Sequence, residues 1–361
     1  MLIPRAIPLI RALLSRIDRY ILALICTVGV ATVLPAGGAA AGFLDGATKL
    51  AVGLLFFLYG ARLSPQAAFA GLRHWRLHVP ILMCTFALFP LLSLMARPLL
   101  TAALSTGLAT GLIFLCLLPS TVQSSVAFTS IARGNVAAAI CSASFSSLLG
   151  VFLTPVLAAL LLRGGGSVHF SMSQVVDIVL QLLVPFLAGQ LVRPWISDWV
   201  ASHRTLTLLC DRGSILLVVY SAFSKGINDG IWQRVSIARL LVVLLLCAAL
   251  LSLVLALAFP VSKWLRYSYE DRVTAVFCAS TKSLASGLPI ATVLFTGRDV
   301  GLVMLPVMLY HMLQLITCAA LARRWSGNRS SEDGSAPGSG KADTSSLRQR
   351  GTPHNVGSRL P

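Results

Sequence analysis

Charge is what this chain has least of, and acidic charge above all. Asp and Glu together number 12 in 361 residues, and the four charged types make up only 11% of the chain. A water-soluble domain draws about a quarter of its residues from Asp, Glu, Lys and Arg, so a soluble fold is excluded. Eight cysteines are present, but no pair is spaced as CxxC or set with histidine at ligand spacing. They read as small buried hydrophobes, neither a disulfide framework nor a zinc site. HExxH, GxSxG and a P-loop are also missing. Without a familiar catalytic constellation the chain is expected not to be an enzyme and to need no resident cofactor.

Hydrophobic residues, by contrast, make up 56% of the chain. They fall in runs of roughly 17–25, each long enough to cross a ~30 Å hydrocarbon core. The fold class implied is an all-α, multi-pass membrane protein whose partner is the lipid bilayer. The formal charge of +17 does not point to nucleic acid here. Lys and Arg sit in short loops, where they orient helices by the positive-inside bias.

Apolar runs set against loop punctuation give ten spans, near 20–37, 45–63, 77–97, 101–132, 134–162, 174–193, 206–225, 238–260, 271–297 and 300–323. With a cytoplasmic N-terminus, one side collects Arg62, Arg73, Arg76, Arg133, Arg193, Arg204, Arg212, Lys263, Arg266, Arg272, Arg323 and Arg324. The other keeps only Arg97, Arg163, Lys225, Arg234 and Arg298. That asymmetry predicts both termini in the cytoplasm of a cell whose inner membrane holds the chain. The segment 1–19 is basic and precedes "YILALICTVGVATVLPAGGAAAG", which imitates a cleavable signal. Its apolar stretch is long for one, and the even count needs it as the first span. From 326 to 361 the chain is rich in Ser, Gly and charge, a composition expected to stay disordered in the cytoplasm.

Two spans are interrupted, the fourth of residues 20–162 and the fourth of residues 174–323. The first reads "LLPSTVQSSVAFTSIARGNV" and the second "ASTKSLASGLPIATVLFTGRDV". Each joins a hydroxyl-rich stretch to a proline, Pro119 or Pro289, and runs into an arginine turn, Arg133 or Arg298. Groups of five spans in tandem must be inverted relative to each other. Paired broken helices in inverted repeats are the sequence pointer to the binding site of a secondary transporter. A break inside lipid is tolerated only where protein, water or ligand satisfies its backbone. Ser120, Thr121, Gln123, Ser124 and Ser125 could therefore bind a hard cation or a polar substrate, with Ser280, Thr281 and Ser283 facing them. The plain alternative is that such small residues only let helices pack closely.

Lys282 lies in the second break with no acidic neighbour in sequence. A lysine near mid-bilayer costs roughly 2.5–3.5 kcal/mol to insert, so it is expected to face a cavity or a partner unless it snorkels from a misplaced span. His311 and Gln314, one turn apart, read as a hydrogen-bonded packing pair. Asp45 and Lys49 read as a surface pair.

"LPSTVQSSVAFTSIARGNVAAAICSASFSSLLGVFLTP" and "TKSLASGLPIA" resemble the bile acid:sodium symporter superfamily, and more closely the member-7-like branch of solute carrier family 10. The resemblance spans about residues 15–323. It implies ten helices in two inverted five-helix repeats, panel and core domains, and broken crossover helices in spans four and nine. It also implies symport of an organic anion by alternating access, usually coupled to sodium. On the family pattern Ser124, Ser125 and Ser142 stand at sodium-coordinating places, Ala138 departs from a hydroxyl, and Thr85 replaces a glutamine. The glutamate that serves two sodium ions is replaced by Phe277, and the Gln-Asn pair after it by Thr281 and Lys282. The expectation is a transporter of a small organic anion whose coupling ion is Na+ or H+, with sodium in doubt. Lys282 would set its ammonium among the crossover hydroxyls, to orient the anion or carry a proton. The rival reading is a non-transporting membrane regulator or receptor on the same fold.

Overall fold

The computed structural model describes residues 19–62, 74–162, 172–228, 230, 236–295 and 300–334, and all regular structure among them is helical. In chain order the helices are α1 (Arg19–Val33), α2 (Gly38–Arg62), α3 (Trp75–Ala103), α4 (Thr106–Leu117), α5 (Val122–Ile131) and α6 (Val136–Leu162). They continue as α7 (Met172–Ser202), α8 (Arg204–Asn228), α9 (Ile237–Trp264), α10 (Tyr269–Ser280), α11 (Leu284–Leu294) and α12 (Val300–Gly334). By length and composition α2, α3, α6, α8, α9 and α12 can each cross a membrane, and α4 with α5 form a seventh candidate bent by 60°. Their outward faces stay apolar: Leu50 is 76% exposed, Leu245 68% and Ile316 71%. Such faces suit lipid and would not suit water.

The largest shifts of expected boundaries are these: α2 begins at Gly38, α3 runs to Ala103, α7 continues to Ser202, and α12 runs on to Gly334 through the start of the stretch expected to be disordered. The rest of that tail, the basic segment before Arg19, and Arg73, Arg163, Arg234 and Arg298 lie outside the described residues.

Local chemistry explains the first break. Leu118 precedes Pro119, and a residue before proline is pushed out of the helical region; Leu118 is extended at φ −73°, ψ 150°. Thr121, at φ −85°, ψ 138°, then starts α5. The second break has another cause, and the expectation that Pro289 makes it is corrected. Pro289 lies inside α11, while the chain opens at Thr281, with φ −88° and ψ 145°. Ser283 restarts the helix as its cap, its Oγ accepting from the Ser286 N–H at 3.1 Å.

Two helix contacts set the frame around these breaks. α2 and α7 touch backbone to backbone: a Cβ on Gly60 would stand 2.0 Å from the Phe186 carbonyl oxygen, and one on Gly189 2.0 Å from that of Phe57. Only glycine allows this approach. The arginine turn after α5 is the second. Arg133 takes a left-handed φ of 56°, and the Gly134 N–H bonds the Thr129 carbonyl. Asn135 Oδ1 then accepts from the Ala138 N–H at 3.0 Å, capping α6, while its Nδ2 donates to Asp271 of α10 at 2.9 Å. Asn135→Ala is expected to cost about 1–2 kcal/mol through the lost cap, read as a drop of a few degrees in Tm with the helical CD spectrum unchanged.

Candidate functional site

The two breaks meet. The Ser283 N–H donates to the Pro119 carbonyl at 2.8 Å, and Ser120 Oγ donates to the Cys278 carbonyl at 2.8 Å. Between them Thr281 Oγ1 lies 3.0 Å from Ser120 Oγ and 2.6 Å from Ser125 Oγ, all three side chains fully buried. Buried hydroxyls need partners, and these find them in each other and in helix-end carbonyls.

The backbone segments that leave the helix are satisfied from the helix that comes after each broken pair, α6 or α12. In the first, Thr154 Oγ1 of α6 donates to the Leu117 carbonyl at 2.8 Å and Ser146 Oγ accepts from the Ser120 N–H at 2.9 Å. In the second, Gln314 of α12 accepts from the Lys282 N–H at 2.7 Å and donates to the Lys282 carbonyl at 2.9 Å. Tyr310, one turn earlier, donates to the Ser280 carbonyl at 2.8 Å. Gln314 also bonds His311 at 2.9 Å, so the pair expected from sequence exists, with the break as its third member.

Lys282 is 1% exposed, and its ammonium sits elsewhere than among the crossover hydroxyls. Nζ donates to the carbonyls of Leu118 at 2.7 Å, Thr85 at 3.1 Å and Cys116 at 3.2 Å, and lies 3.9 Å from the centre of the Phe89 ring. The physical reason is that three acceptors converge there. Cys116 is in the last turn of α4, whose carbonyls have no intrahelical donor and carry the negative end of the dipole. Thr85 lies in a π turn, Cys84–Leu88, that brings Pro90 into register with its carbonyl, and proline has no N–H to give. An ammonium has three protons, and all three have an acceptor.

Beside the crossing is a cavity of about 350 Å³. Thr121, Val122 and Gln123 from the start of α5 and Ser283, Ala285 and Ser286 from the start of α11 line it, so two helix N-termini open onto one space. The first N–H groups of a helix lack intrahelical acceptors and favour negative charge. Ile140, Phe145, Leu148, Val151, Phe186 and Ile215 make apolar walls, Cys141, Ser144 and Ser147 add small polar groups from α6, and Tyr59, Arg62, Asp211 and Arg212 line it from α2 and α8. Arg62 Nη1 donates to Asp211 Oδ2 in a charged pair. Lys282 does not line this cavity.

The residues singled out in the sequence therefore divide. Thr121, Gln123 and Ser283 line the cavity; Ser120, Ser125 and Thr281 form the crossing; Ser280 and Thr85 contribute backbone carbonyls. Ser142 is fully buried and hydrogen-bonded to His78 of α3. Ser124 Oγ is buried without a partner among the described residues. Sequence reasoning missed His78, Ser146, Thr154 and Tyr310, which are ordinary residues until their partners are known. It also spent Arg62 and Arg212 on loop charge; an Asp-Arg pair within an otherwise apolar span was the available signal.

As a sodium shell this set does not fit. Ser125 and Ser142 are occupied by Thr281 and His78. Phe277, at the place of the expected carboxylate, packs its ring 5.7 Å from Phe128 and 5.5 Å from Trp325. An aromatic cluster offers no carboxylate to a cation, and Lys282 Nζ already takes the nearby carbonyls.

Comparison with known proteins places the chain among transporters. The family model described as the SBF-like CPA transporter family matches residues 18–327. An uncharacterized Pseudomonas aeruginosa protein is 50% identical over 312 residues, covering 86% of this chain and 94% of that one. An Escherichia coli protein named "Putative symporter YfeH" is 45% identical over 309 residues, covering 86% and 93%. The mouse sodium/bile acid cotransporter 7 is 28% identical over 313 residues, covering 85% and 92%.

Proposed function

The chain belongs to the SBF-like CPA transporter family, and from that premise we propose that it is a secondary transporter that moves a small organic anion by alternating access, without sodium. The observation that carries the anion is the cavity. Two helix N-termini and two guanidiniums, Arg62 and Arg212, surround it against a single carboxylate, Asp211, and the remaining wall is largely apolar. An amphipathic anion fits such a lining better than a cation or a sugar.

Packing supports two inverted five-helix repeats, 20–162 and 174–323. Exchanging α1–α6 for α7–α12 in order carries several of the main helix contacts onto other observed ones, while α6 on α7 and α8 on α12 have no counterpart among the main contacts. α1 on α8 becomes α7 on α2, α3 on α4 becomes α9 on α10, α4 on α12 becomes α10 on α6, and α5 on α6 becomes α11 on α12. The clamps obey the same exchange: α6 satisfies the first break and α12 the second. In this reading α1, α2, α7 and α8 form the panel, the other helices the core, and the membrane is the inner one with both termini inside. Arg62 and Arg212 then lie on the cytoplasmic side, and the cavity is an inward-facing one.

Lys282 supports the absence of sodium. A cation held by three carbonyls at a helix C-terminus does for the crossover what a bound sodium would do, and it cannot leave. Thermal-shift screening of the purified protein against aryl and steroid carboxylates and sulfonates tests the reading, in NaCl and in choline chloride. Stabilisation equal in the two salts is expected. Stabilisation that needs sodium overturns it, and stabilisation without accumulation in proteoliposomes assigns the chain to a regulator.

A further inference from the structure

Asp211 is 6% exposed, at the second turn of α8, in a chain with hardly any acid inside its spans. Its carboxylate is half satisfied. Oδ2 accepts from Arg62, while Oδ1 is buried and has no hydrogen-bond partner among the described residues. Arg62 faces two spaces. It lines the central cavity with Asp211, and it also lines an adjoining cavity of about 510 Å³ with Arg193, Ser197, Asp198 and Thr207. The ion pair stands where the two cavities share a wall.

We propose that Arg62 is the anion-recognition residue and that Asp211 is the proton carrier: the transported anion takes Arg62 from Asp211, and Asp211 then binds one proton. This rests on the organic-anion reading above and deepens it by naming the coupling ion. The step balances. Before binding, Arg62+ pairs with Asp211−; afterwards Arg62+ pairs with the substrate anion, and Asp211 is a neutral acid whose proton comes from water. One monovalent anion and one proton cross together, so the loaded carrier has the same charge as the empty one.

The surroundings say why a proton is needed. The charged and titratable groups near Asp211 are Arg62 and Tyr59 from α2, Arg212 and Cys210 on its own helix, and Cys141 across the cavity from α6. Arg193 and Asp198 of α7 lie beyond Arg62 in the adjoining cavity. α11, also packed on α8, supplies only Ser283, Ala285 and Ser286 to the lining, and α1 and α12 supply nothing to it. Once Arg62 is engaged by the anion, a buried carboxylate with one orphan oxygen acquires a second. Arg62 is then held by the anion, and Arg212 makes neither a hydrogen bond nor an ion pair to Asp211. An uncompensated charge so placed neutralises. In the empty state Asp211 also holds Arg62 in position, so that the guanidinium is neither bare nor folded back into solvent.

Infrared difference spectroscopy on the full chain in lipid tests this, with benzoate as the anion probe. Arg62→Gln removes the partner without any ligand, and at neutral pH it should show the carbonyl band of a buried protonated acid. That band should be absent from the wild type and from Arg62→Lys, and should vanish in the Arg62→Gln/Asp211→Asn double variant. Benzoate added to wild type should raise the same band and take up about one proton per anion bound, read with a pH dye in weak buffer. The proposal is overturned if folded Arg62→Gln shows no band that Asp211→Asn removes, or if benzoate binds with no proton uptake. If the band appears in Arg62→Gln but neither benzoate nor the screened anions stabilise the protein, the organic-anion reading fails and with it Arg62's role, while the proton site on Asp211 stands.

Discussion

Lys282→Met is expected to melt about 10 °C below the wild type and to lose transport, whereas Lys282→Ala is expected to recover part of its stability in sodium. The two variants separate the stem from the charge. Methionine keeps the buried chain length and removes the ammonium, leaving the carbonyls of Thr85, Cys116 and Leu118 without their donor. An unsatisfied buried acceptor costs about 1–3 kcal/mol, so the three together come to roughly 3–6 kcal/mol after relaxation. A shift on the order of 2–3 °C per kcal/mol for a chain of this size gives the expected change in Tm. Alanine also removes the stem and leaves three converging carbonyls around a space with the negative end of α4 behind them. A small monovalent cation fits that description. Tm of Lys282→Ala should therefore rise with NaCl over choline chloride at equal ionic strength, and that of the wild type should not. If the wild type responds to sodium as strongly as the variant, Lys282 is not the fixed substitute for the ion.

What made Lys282 visible in the sequence was its depth: an ammonium ten residues past Arg272, inside an apolar run. Its partners were not visible, because backbone carbonyls look alike in every residue. Their availability depends on where α4 ends and on the π turn ahead of Pro90. The same divide runs through the fold. Helices such as α6 and α9 are legible because an apolar run of that length has few other fates in a membrane chain. The first break is legible because Pro119 acts on its own neighbour, Leu118. The second is not, because its cause lies 32 residues away in Gln314; Pro289 was the local feature nearest to it, and a helix embedded in protein absorbs a single proline. Arg62 and Asp211 are 149 residues apart, so each was legible as a charge and neither as a pair.

Gln314→Leu is expected to be the most damaging single change outside Lys282. Leucine matches the side chain in size, but it can neither accept from the Lys282 N–H nor donate to the Lys282 carbonyl. Both groups lie fully inside the protein, where no water replaces the lost partner. Two orphaned backbone groups cost roughly 2–6 kcal/mol, and the broken segment has an easy escape: residues 281–283 can wind into helix and join α10 to α11. Winding would draw the Lys282 side chain off the carbonyls of α4 and turn the first N–H groups of α11 away from the cavity. Stability and anion binding should therefore fall together. Thr154→Val supplies the contrast, since it removes one bond, to the Leu117 carbonyl, at a break that Pro119 keeps open regardless. Its expected loss is about 1–2 kcal/mol with anion binding retained. Thermal melting of both variants, with and without a stabilising anion, separates the outcomes. Equal loss of anion stabilisation in the two would show that Gln314 has no special hold on the second break.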